Sequence, residues 1–322
     1  MTAYLIRRSL QAIPLLFGIS IVVFLLLQMT PGGPLAAGEG AAGQANAPQL
    51  ARLRERLGLD DPLWQQYLRW LGGILTGDWG VSLSSRRDVL EVIGERLPTT
   101  IMLTGTSFMI ALIVALIVGV VSAVKHRSLF DYVATGTSFA ALSMPSFWLA
   151  LLLLFLFSYQ LDLLPSGGLR DLRNPQEGFA GFLDTARHLV LPVTVLSLIS
   201  IATLGRYVRS SMLEVLNLDY VRTARGAGVP ERVVVLRHAL RNAAIPVVTV
   251  AVLTIPELFL GAVITETIFA LPGMGRLFIE SANGRDYPVL LGILMIAATL
   301  VVVANLIADL LYARLDPRIR YD

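Results

Sequence analysis

The sequence contains no cysteine, few charged residues and no recognisable catalytic motif. Without cysteine, disulfides and thiolate metal sites are excluded. Only 15% of the 322 residues are charged, against about 25% in soluble domains. The chain also lacks GxxxxGK[ST], HExxH and GxSxG, which excludes ATP binding by a Walker loop and two common kinds of hydrolase site. We therefore predict a non-enzymatic protein with no catalytic, cofactor-binding or metal-binding residues.

Long apolar runs dominate what is present. Apolar residues make up 55% of the chain, and the mean hydropathy is +0.69. The charges are clumped, and this leaves stretches near or above the roughly 17–25 residues that a helix needs to cross a bilayer. In lipid the backbone must satisfy its own hydrogen bonds, so each stretch is predicted to be a helix. The fold class is therefore all-α integral membrane, with six transmembrane helices at Leu10–Met29, Ile101–Val124, Tyr132–Tyr159, Leu189–Gly205, Ala243–Ile268 and Val289–Tyr312.

The distribution of positive charge predicts the orientation. With six spans, both termini lie on one side, together with residues 125–131 and 206–242. That side holds 14 of the 26 Lys and Arg residues in about half as many positions as the opposite side, which holds 12. Because the side richer in positive charge is normally cytoplasmic, both termini are predicted to face the cytoplasm.

Residues 1–30 are predicted to form the N-terminus and first span, and residues 31–100 an external segment. The external segment opens with a linker rich in proline and glycine, and short helices follow it. Asp61-Pro62 reads as a helix start, a cap followed by a proline at the first helical position. Trp64, Trp70 and Trp79 are predicted to lie at headgroup depth, with a surface for a partner as the alternative. Residues 101–322 then form a five-helix core.

The cytoplasmic loop at residues 206–242 is the most informative segment. Asp219 is predicted to cap a short helix, Tyr220 to Ala227, that ends at Gly228. Proline and glutamate then open a second helix, which closes near Arg241 on cations suited to its dipole. A helix-turn-helix held between two spans cannot readily lie along a DNA duplex. We interpret it as a docking element for a soluble cytoplasmic partner.

Side chains of the short helix are assigned by helical spacing. Tyr220, Ala224 and Ala227 share one face and are predicted to fit a groove on the partner. Arg222 and Arg225 are expected to pair with acidic groups of the partner. Gly228 is expected to turn the chain sharply with a positive φ, which a side chain would penalise.

Three acidic residues lie within the predicted spans, where charge is costly and suggests function. Glu257 is deep in the fifth span and is a candidate for the translocation path, with a structural acid as the alternative. Glu266 is expected near the outer end, where it can reach the interface. Asp309 is expected near the inner end of the sixth span, where it can pair with cytoplasmic arginines.

Several short blocks lie in order along the whole chain: Arg7-Arg8 through Ile13-Pro14, Thr30-Pro31-Gly32, Leu57-Gly58-Leu59-Asp60-Asp61-Pro62, Gln66-Tyr67, Gly77-Asp78-Trp79-Gly80-Val81-Ser82, Asp219 to Gly228, Glu266-Thr267-Ile268-Phe269, Pro272-Gly273-Met274-Gly275, Asp286-Tyr287-Pro288 and Leu315-Asp316-Pro317-Arg318. Together they resemble the dipeptide/oligopeptide/nickel ABC importer permeases, of the dipeptide permease B type. In the general ABC importer motif Glu-Ala-Ala precedes the glycine, whereas Arg222-Thr223-Ala224 stands there in this chain, and the closing Leu-Pro is displaced to Ile245-Pro246. Both departures resemble those of the peptide/nickel branch.

The resemblance implies a type I importer permease in a bacterial inner membrane, moving peptides into the cytoplasm. It implies four kinds of partner: a second homologous permease, two ATPase subunits or domains, an extracytoplasmic binding protein and a peptide substrate. It does not distinguish dipeptides from longer peptides, glutathione, nickel chelates or haem. The residues that it assigns to ATPase coupling are Asp219, Tyr220, Arg222, Thr223, Ala224, Arg225 and Gly228.

Two other classes of function compete with this reading. A secondary transporter or channel would use an ion gradient, with Glu257 as the ion or proton site, but it would leave the helix-glycine-helix loop without a role. A membrane scaffold that transports nothing would leave both the deep acid and the prolines within spans without a role. A co-purifying pair of ATPases would favour the importer over both.

Overall fold

The computed structural model describes residues 2–29, 60–253 and 255–315, which fold as helices joined by turns and loops. Within these ranges the only β-type pairing is an isolated bridge between Val81 and Asp88. The predicted all-α class is confirmed. The helices are α1 (Thr2–Gln28), α2 (Leu63–Thr76), α3 (Val89–Val124), α4 (Leu129–Ser143), α5 (Ser146–Leu154, continued by a π-helical turn at Phe155–Gln160), α6 (Gly178–Leu216), α7 (Asp219–Gly226), α8 (Glu231–Val233, a π-helical turn at Val234–Ala239, then Leu240–Leu253), α9 (Ile255–Ile268), α10 (Met274–Asn283) and α11 (Tyr287–Leu315).

Five of the helices in the described ranges are long and apolar enough to cross a membrane, and a bent pair can supply a sixth span. The two longest, α3 and α6, extend well past the predicted spans. Helix α3 begins about three turns before the predicted span. The Asp88 side chain caps this start by accepting a hydrogen bond from Leu90 N at 2.8 Å. These first turns contain charged residues, so a search for long apolar runs does not include them in the predicted span.

The predicted third span is broken rather than straight. Helices α4 and α5 meet at an angle of 102°, with Met144 and Pro145 between them. Pro145 occupies the N-cap of α5, where its missing N–H is harmless and its ring prevents α4 from continuing. Pro145 therefore separates the two helices of this bent span.

The fifth span begins earlier than predicted. The second loop helix does not close near Arg241; it continues through Pro246, so that α8 reaches Leu253, and α9 covers Ile255–Ile268. A proline inside a helix removes one backbone hydrogen bond, which in α8 is the bond to the carbonyl oxygen of Asn242. The neighbouring carbonyl oxygen of Ala243 accepts a hydrogen bond from Ser211 Oγ at 2.9 Å, and this contact joins α6 to α8.

Helices α3 and α6 pack along each other as the centre of the bundle, and apolar clusters mark its two ends. One end unites the last turns of α3 and α6 with α7 and α8. The other unites the start of α3 with α10 and the start of α11. Arg8 Nε lies 3.0 Å from Asp309 Oδ2, which joins the start of α1 to the last turns of α11. The expected pairing of Asp309 with an arginine near the chain ends is confirmed.

Helix α2 lies against α1 through aromatic and polar side chains. Tyr67 packs edge-on against Phe24, with ring centroids 5.5 Å apart, and its hydroxyl is 2.8 Å from Ser20 Oγ. Trp70 packs on the same phenylalanine at 5.7 Å, whereas Trp64 is largely exposed. The predicted short helix is confirmed, but Pro62 occupies its N-cap position and no side chain caps it, so the assignment of Asp61 as the cap is wrong. The two tryptophans of this helix have different environments. Residues 30–59 of the predicted external segment lie outside the described residues.

Candidate functional site

The short helix α7 stands where the sequence predicts a docking element, between the long helices α6 and α8. It spans Asp219–Gly226, one residue earlier than predicted. The cap position is Leu218, which has extended backbone angles and makes no side-chain cap, so the assignment of Asp219 as the cap is wrong. Asp219 lies in the first turn, with its side chain 97% exposed. There its charge favours the helix through the positive N-terminal end of the dipole.

The inner face of α7 is apolar and fixed to the body of the protein. Val221 is fully buried in the cluster of α3, α6 and α8, and Ala224 packs at its edge. These two residues are three apart and therefore lie on one side of the helix. The predicted partner-facing set of Tyr220, Ala224 and Ala227 is wrong for Ala224, which faces the protein's own core. Ala227 is exposed.

Tyr220 joins α7 to α8 instead of projecting freely. Its hydroxyl accepts a hydrogen bond from Asn242 Nδ2 at 2.7 Å and donates to the carbonyl oxygen of His238 at 3.3 Å. Both contacts are on the membrane-entering part of α8. A displacement of α7 would therefore move α8 through these hydrogen bonds, and α6 through the apolar cluster that they share.

The two arginines of α7 have different environments. Arg225 forms a bidentate pair with Glu231 of α8, with nitrogen–oxygen distances of 3.1 and 2.7 Å. This carboxylate raises the pKa of the Arg225 guanidinium above its usual value. Arg222 is 67% exposed and lies 3.7 Å from the more exposed Asp219. Arg222 is thus placed for an external partner, whereas Arg225 is already paired within the chain, contrary to its predicted role.

Gly228 closes α7 in the manner that its position predicts. Its φ is +77°, in the left-handed region. Gly228 N donates to the Arg225 carbonyl at 3.0 Å, and Val229 N donates to the Ala224 carbonyl at 3.2 Å. This is the Schellman pattern of a helix C-terminus, completed by Val229 and Ala224 packing against the same cluster. The predicted positive φ and sharp turn are confirmed.

The outer face of α7 is what remains for a partner. It presents a small, polar surface at one end of the bundle, with one carboxylate and one guanidinium. Thr223 satisfies its own hydroxyl by donating to the Asp219 carbonyl at 2.9 Å. The exposed residues of this face are Asp219, Arg222, Thr223, Gly226 and Ala227.

Of the residues singled out from the sequence, Glu257 is not part of this site. It lies on α9, and its side chain is outside the described residues. The structure therefore leaves its place on a translocation path as a prediction. Among the described residues, no cluster of three or more His, Asp or Glu side chains is suited to hold a metal ion.

Glu266 is not the interfacial residue that the sequence predicts. It is fully buried at the opposite end of the bundle from α7. Its carboxylate accepts hydrogen bonds from Thr100 Oγ1 at 2.6 Å and from the backbone N–H groups of Gly275 and Arg276 at 2.8 and 3.1 Å. It thereby caps the N-terminus of α10, where a negative charge is favoured. Gly273 and Gly275, which flank Met274, leave room for this close contact, and they are the signal in the sequence that could have predicted it.

A bundle of long apolar helices, with a short and partly exposed helix held between two of them at one end, defines a multi-pass membrane protein. The description "Binding-protein-dependent transport system inner membrane component" fits residues 115–321, and its N-terminal counterpart fits residues 1–104. The chain belongs to this family.

Similarity to characterised relatives extends over the full length. The chain is 45% identical to the oligopeptide transport system permease protein AppB of Bacillus subtilis, covering 100% of both chains. It is 40% identical to the dipeptide transport system permease protein DppB of Escherichia coli K12, covering 100% of this chain and 99% of the relative. Among solved structures, the MetNI methionine ABC transporter in inward-facing conformations shares the fold, with a TM-score of 0.58 at 16% identity over 70% of this chain and 97% of the other.

Proposed function

We propose that this chain is a permease subunit of an ABC importer that moves peptides into the cytoplasm. The observation that carries the proposal is α7: a helix with a buried inner face, a glycine-locked end and an exposed outer face, fixed directly to two long membrane helices. Such a helix can pass a movement of a soluble partner into the membrane. The full-length similarity to peptide permeases supports peptides as the substrate class.

The partners follow from the same reasoning. Since the sequence has no Walker loop, hydrolysis of ATP falls to two cytoplasmic ATPase subunits or domains, one of which contacts the outer face of α7. A second, homologous permease completes the pathway, and an extracytoplasmic binding protein delivers the peptide. Arg222, which is exposed and held only weakly by Asp219, is the residue best placed to meet an acidic group of the ATPase.

We place α7 and both termini in the cytoplasm, because the distribution of lysine and arginine along the sequence predicts this orientation in the membrane. The native chain lacks cysteine, so single cysteines can report it. A membrane-impermeant maleimide added to intact spheroplasts should label Leu172→Cys, at a residue 91% exposed between α5 and α6. It should spare Asn217→Cys, at an exposed residue beside α7, until the membrane is permeabilised. Labelling in the reverse order would show that the orientation is inverted.

The function itself is tested in proteoliposomes that contain this permease, its partner permease and the ATPases, with binding protein and a radiolabelled dipeptide such as alanyl-phenylalanine outside. We expect uptake that requires internal ATP, is blocked by vanadate and persists when ionophores collapse proton and sodium gradients. Uptake abolished by ionophores and independent of ATP would instead support the gradient-driven alternative.

The same vesicles test Glu257 as part of the translocation path. We expect Glu257→Gln to assemble normally with the ATPases and to change uptake. Normal uptake would remove Glu257 from the path, and failure to assemble would indicate the structural alternative. A requirement for Glu257 together with sensitivity to ionophores would be the pattern of an ion-coupled transporter.

A further inference from the structure

A buried carboxylate joins three elements at the α7 end of the bundle. Asp131, in the first turn of α4, has only 3% of its surface exposed. It accepts hydrogen bonds from Ser122 Oγ of α3 at 2.6 Å and from Arg127 N in the α3–α4 turn at 3.0 Å. Arg209 of α6 binds it through two nitrogens, at 2.6 and 2.8 Å. This bidentate geometry fixes direction as well as distance.

Helix α4 lies along α6, and Asp131 is the only buried residue of α4, all of which the structure describes. The neighbouring Leu129 and Tyr132 are 81% and 65% exposed, whereas Ala134, Ser138 and Ala141 are half-buried on one face. Farther along, the guanidinium of Arg206 lies 5.1 Å above the ring of Phe139. Among the contacts between α4 and α6, the pair of Asp131 and Arg209 is thus the one that a buried carboxylate fixes in direction.

The position of Arg209 relates this anchor to α7. From Arg209, α6 continues without interruption to Leu216, about 11 Å along the axis at the rise of a regular helix. Two residues separate Leu216 from Asp219, where α7 begins. Val208 and Met212, which flank Arg209, are buried in the same apolar cluster as Val221 of α7. A rigid, packed connection therefore runs from α7 to the carboxylate of Asp131.

From this geometry we infer that Asp131 and Arg209 are a positioning pair that makes the start of α4 move together with α6 and α7. The inference deepens the proposed function and rests on it: a displacement of α7 by the ATPases reaches the bent α4–α5 pair through this contact. Ser122 and Arg127 N hold the carboxylate in the orientation that the guanidinium requires.

Distances between spin labels test the inference without depending on the substrate. In the reconstituted complex, labels on Tyr132→Cys of α4 and Asn217→Cys beside α7 should show the same distance distribution without nucleotide and with ATP and vanadate. When Asp131→Asn is added, the distribution should broaden or shift with nucleotide. A nucleotide-dependent distance in the otherwise unmodified protein would overturn the inference, since α4 and α7 would then move independently.

Transport supplies the second readout. Asp131→Asn should lower dipeptide uptake per ATP hydrolysed by about tenfold while ATPase binding is kept, a size expected for residues that couple distant sites. The matched control is Asp309→Asn, the same change in a carboxylate that pairs with an arginine at 3.0 Å between α1 and α11, away from α6. It should leave uptake per ATP unchanged. Equal ratios in both variants would contradict the positioning role.

A double variant separates positioning from folding. Replacing a buried ion pair by apolar residues of similar size is often neutral or stabilising, whereas leaving one charge unpaired is not. Asp131→Leu/Arg209→Met should therefore assemble and melt like the wild type yet keep the low uptake per ATP. Recovery of uptake, or failure of this variant to assemble, would show that the pair serves stability and not positioning. Absence of ATP-dependent uptake in the wild-type complex would count instead against the proposed function.

Discussion

A Gly228→Val variant should insert into the membrane normally and lose most of its association with the ATPases. Gly228 has φ +77°, and an L-residue in this left-handed region costs roughly 1–2 kcal/mol, with β-branched residues least tolerant. Space is not the cause, because a Cβ at this position would meet nothing within 4 Å. The strain can be relieved only by changing the turn, which would break the two hydrogen bonds that close α7. Since 1.4 kcal/mol is a factor of ten, we expect association about tenfold weaker.

Titration of the detergent-solubilised permease pair with purified ATPases measures this effect. Gly105→Ala is the matched control: Gly105 lies inside α3, away from the outer face of α7, a Cβ there meets nothing within 4 Å, and alanine favours a helix. It should bind the ATPases at least as well as the wild type. Gly228→Asn should fall between the two, because asparagine tolerates positive φ. Unchanged association and uptake in Gly228→Val would refute the coupling role of α7.

At the other end of the bundle, Gly275→Ala should destabilise the protein by about 3 kcal/mol or more, as expected from combining overpacking with the loss of buried hydrogen bonds. A Cβ on Gly275 would lie 2.4 Å from Val263 Cα and 2.8 Å from Val263 N. Because both atoms belong to the backbone of α9, no side-chain rotation can relieve the clash. Helix α10 would have to move away, and the N–H groups of Gly275 and Arg276 would lose the Glu266 carboxylate.

Thermal unfolding in detergent, followed by size-exclusion fluorescence, would show this as a markedly lower Tm. Gly136→Ala provides the comparison, because Gly136 lies within α4 and a Cβ there meets nothing within 4 Å. That variant should melt at or slightly above the wild-type temperature. If the two alanine variants melt alike, the close contact between α9 and α10 does not exist in the folded protein.

Some features were predictable because their causes are local. A long run without charge must satisfy its backbone within itself in lipid, so span number and helix type followed from the order of residues. Pro145 breaks the third span by its own ring geometry. Gly228 ends α7 with positive φ because a short helical pattern stops there at a residue without a side chain. In each case the decisive atoms lie within a few residues of one another.

Within α7, sequence spacing correctly predicted a helix but not which side faces the protein. The apolar side is set by Val221, which enters a cluster supplied by α3, α6 and α8. Arg225 was expected to pair with an acidic group of the partner, but it pairs with Glu231 of α8 in the same chain. Spacing defines which side chains share a face, whereas the direction of that face depends on the neighbouring helices.

The sequence by itself thus determined the class of protein, most of the long apolar helices, and the location and closing turn of the short helix α7. The tertiary structure alone decided the roles of its buried charges. Glu266 meets Thr100 across 166 positions of sequence, and Asp131 meets Arg209 across 78. A charge inside a membrane helix is costly without a partner, and neither composition nor periodicity reveals a partner that distant packing provides. Only the folded bundle shows that one of these carboxylates caps a helix and that the other ties α4 to α6.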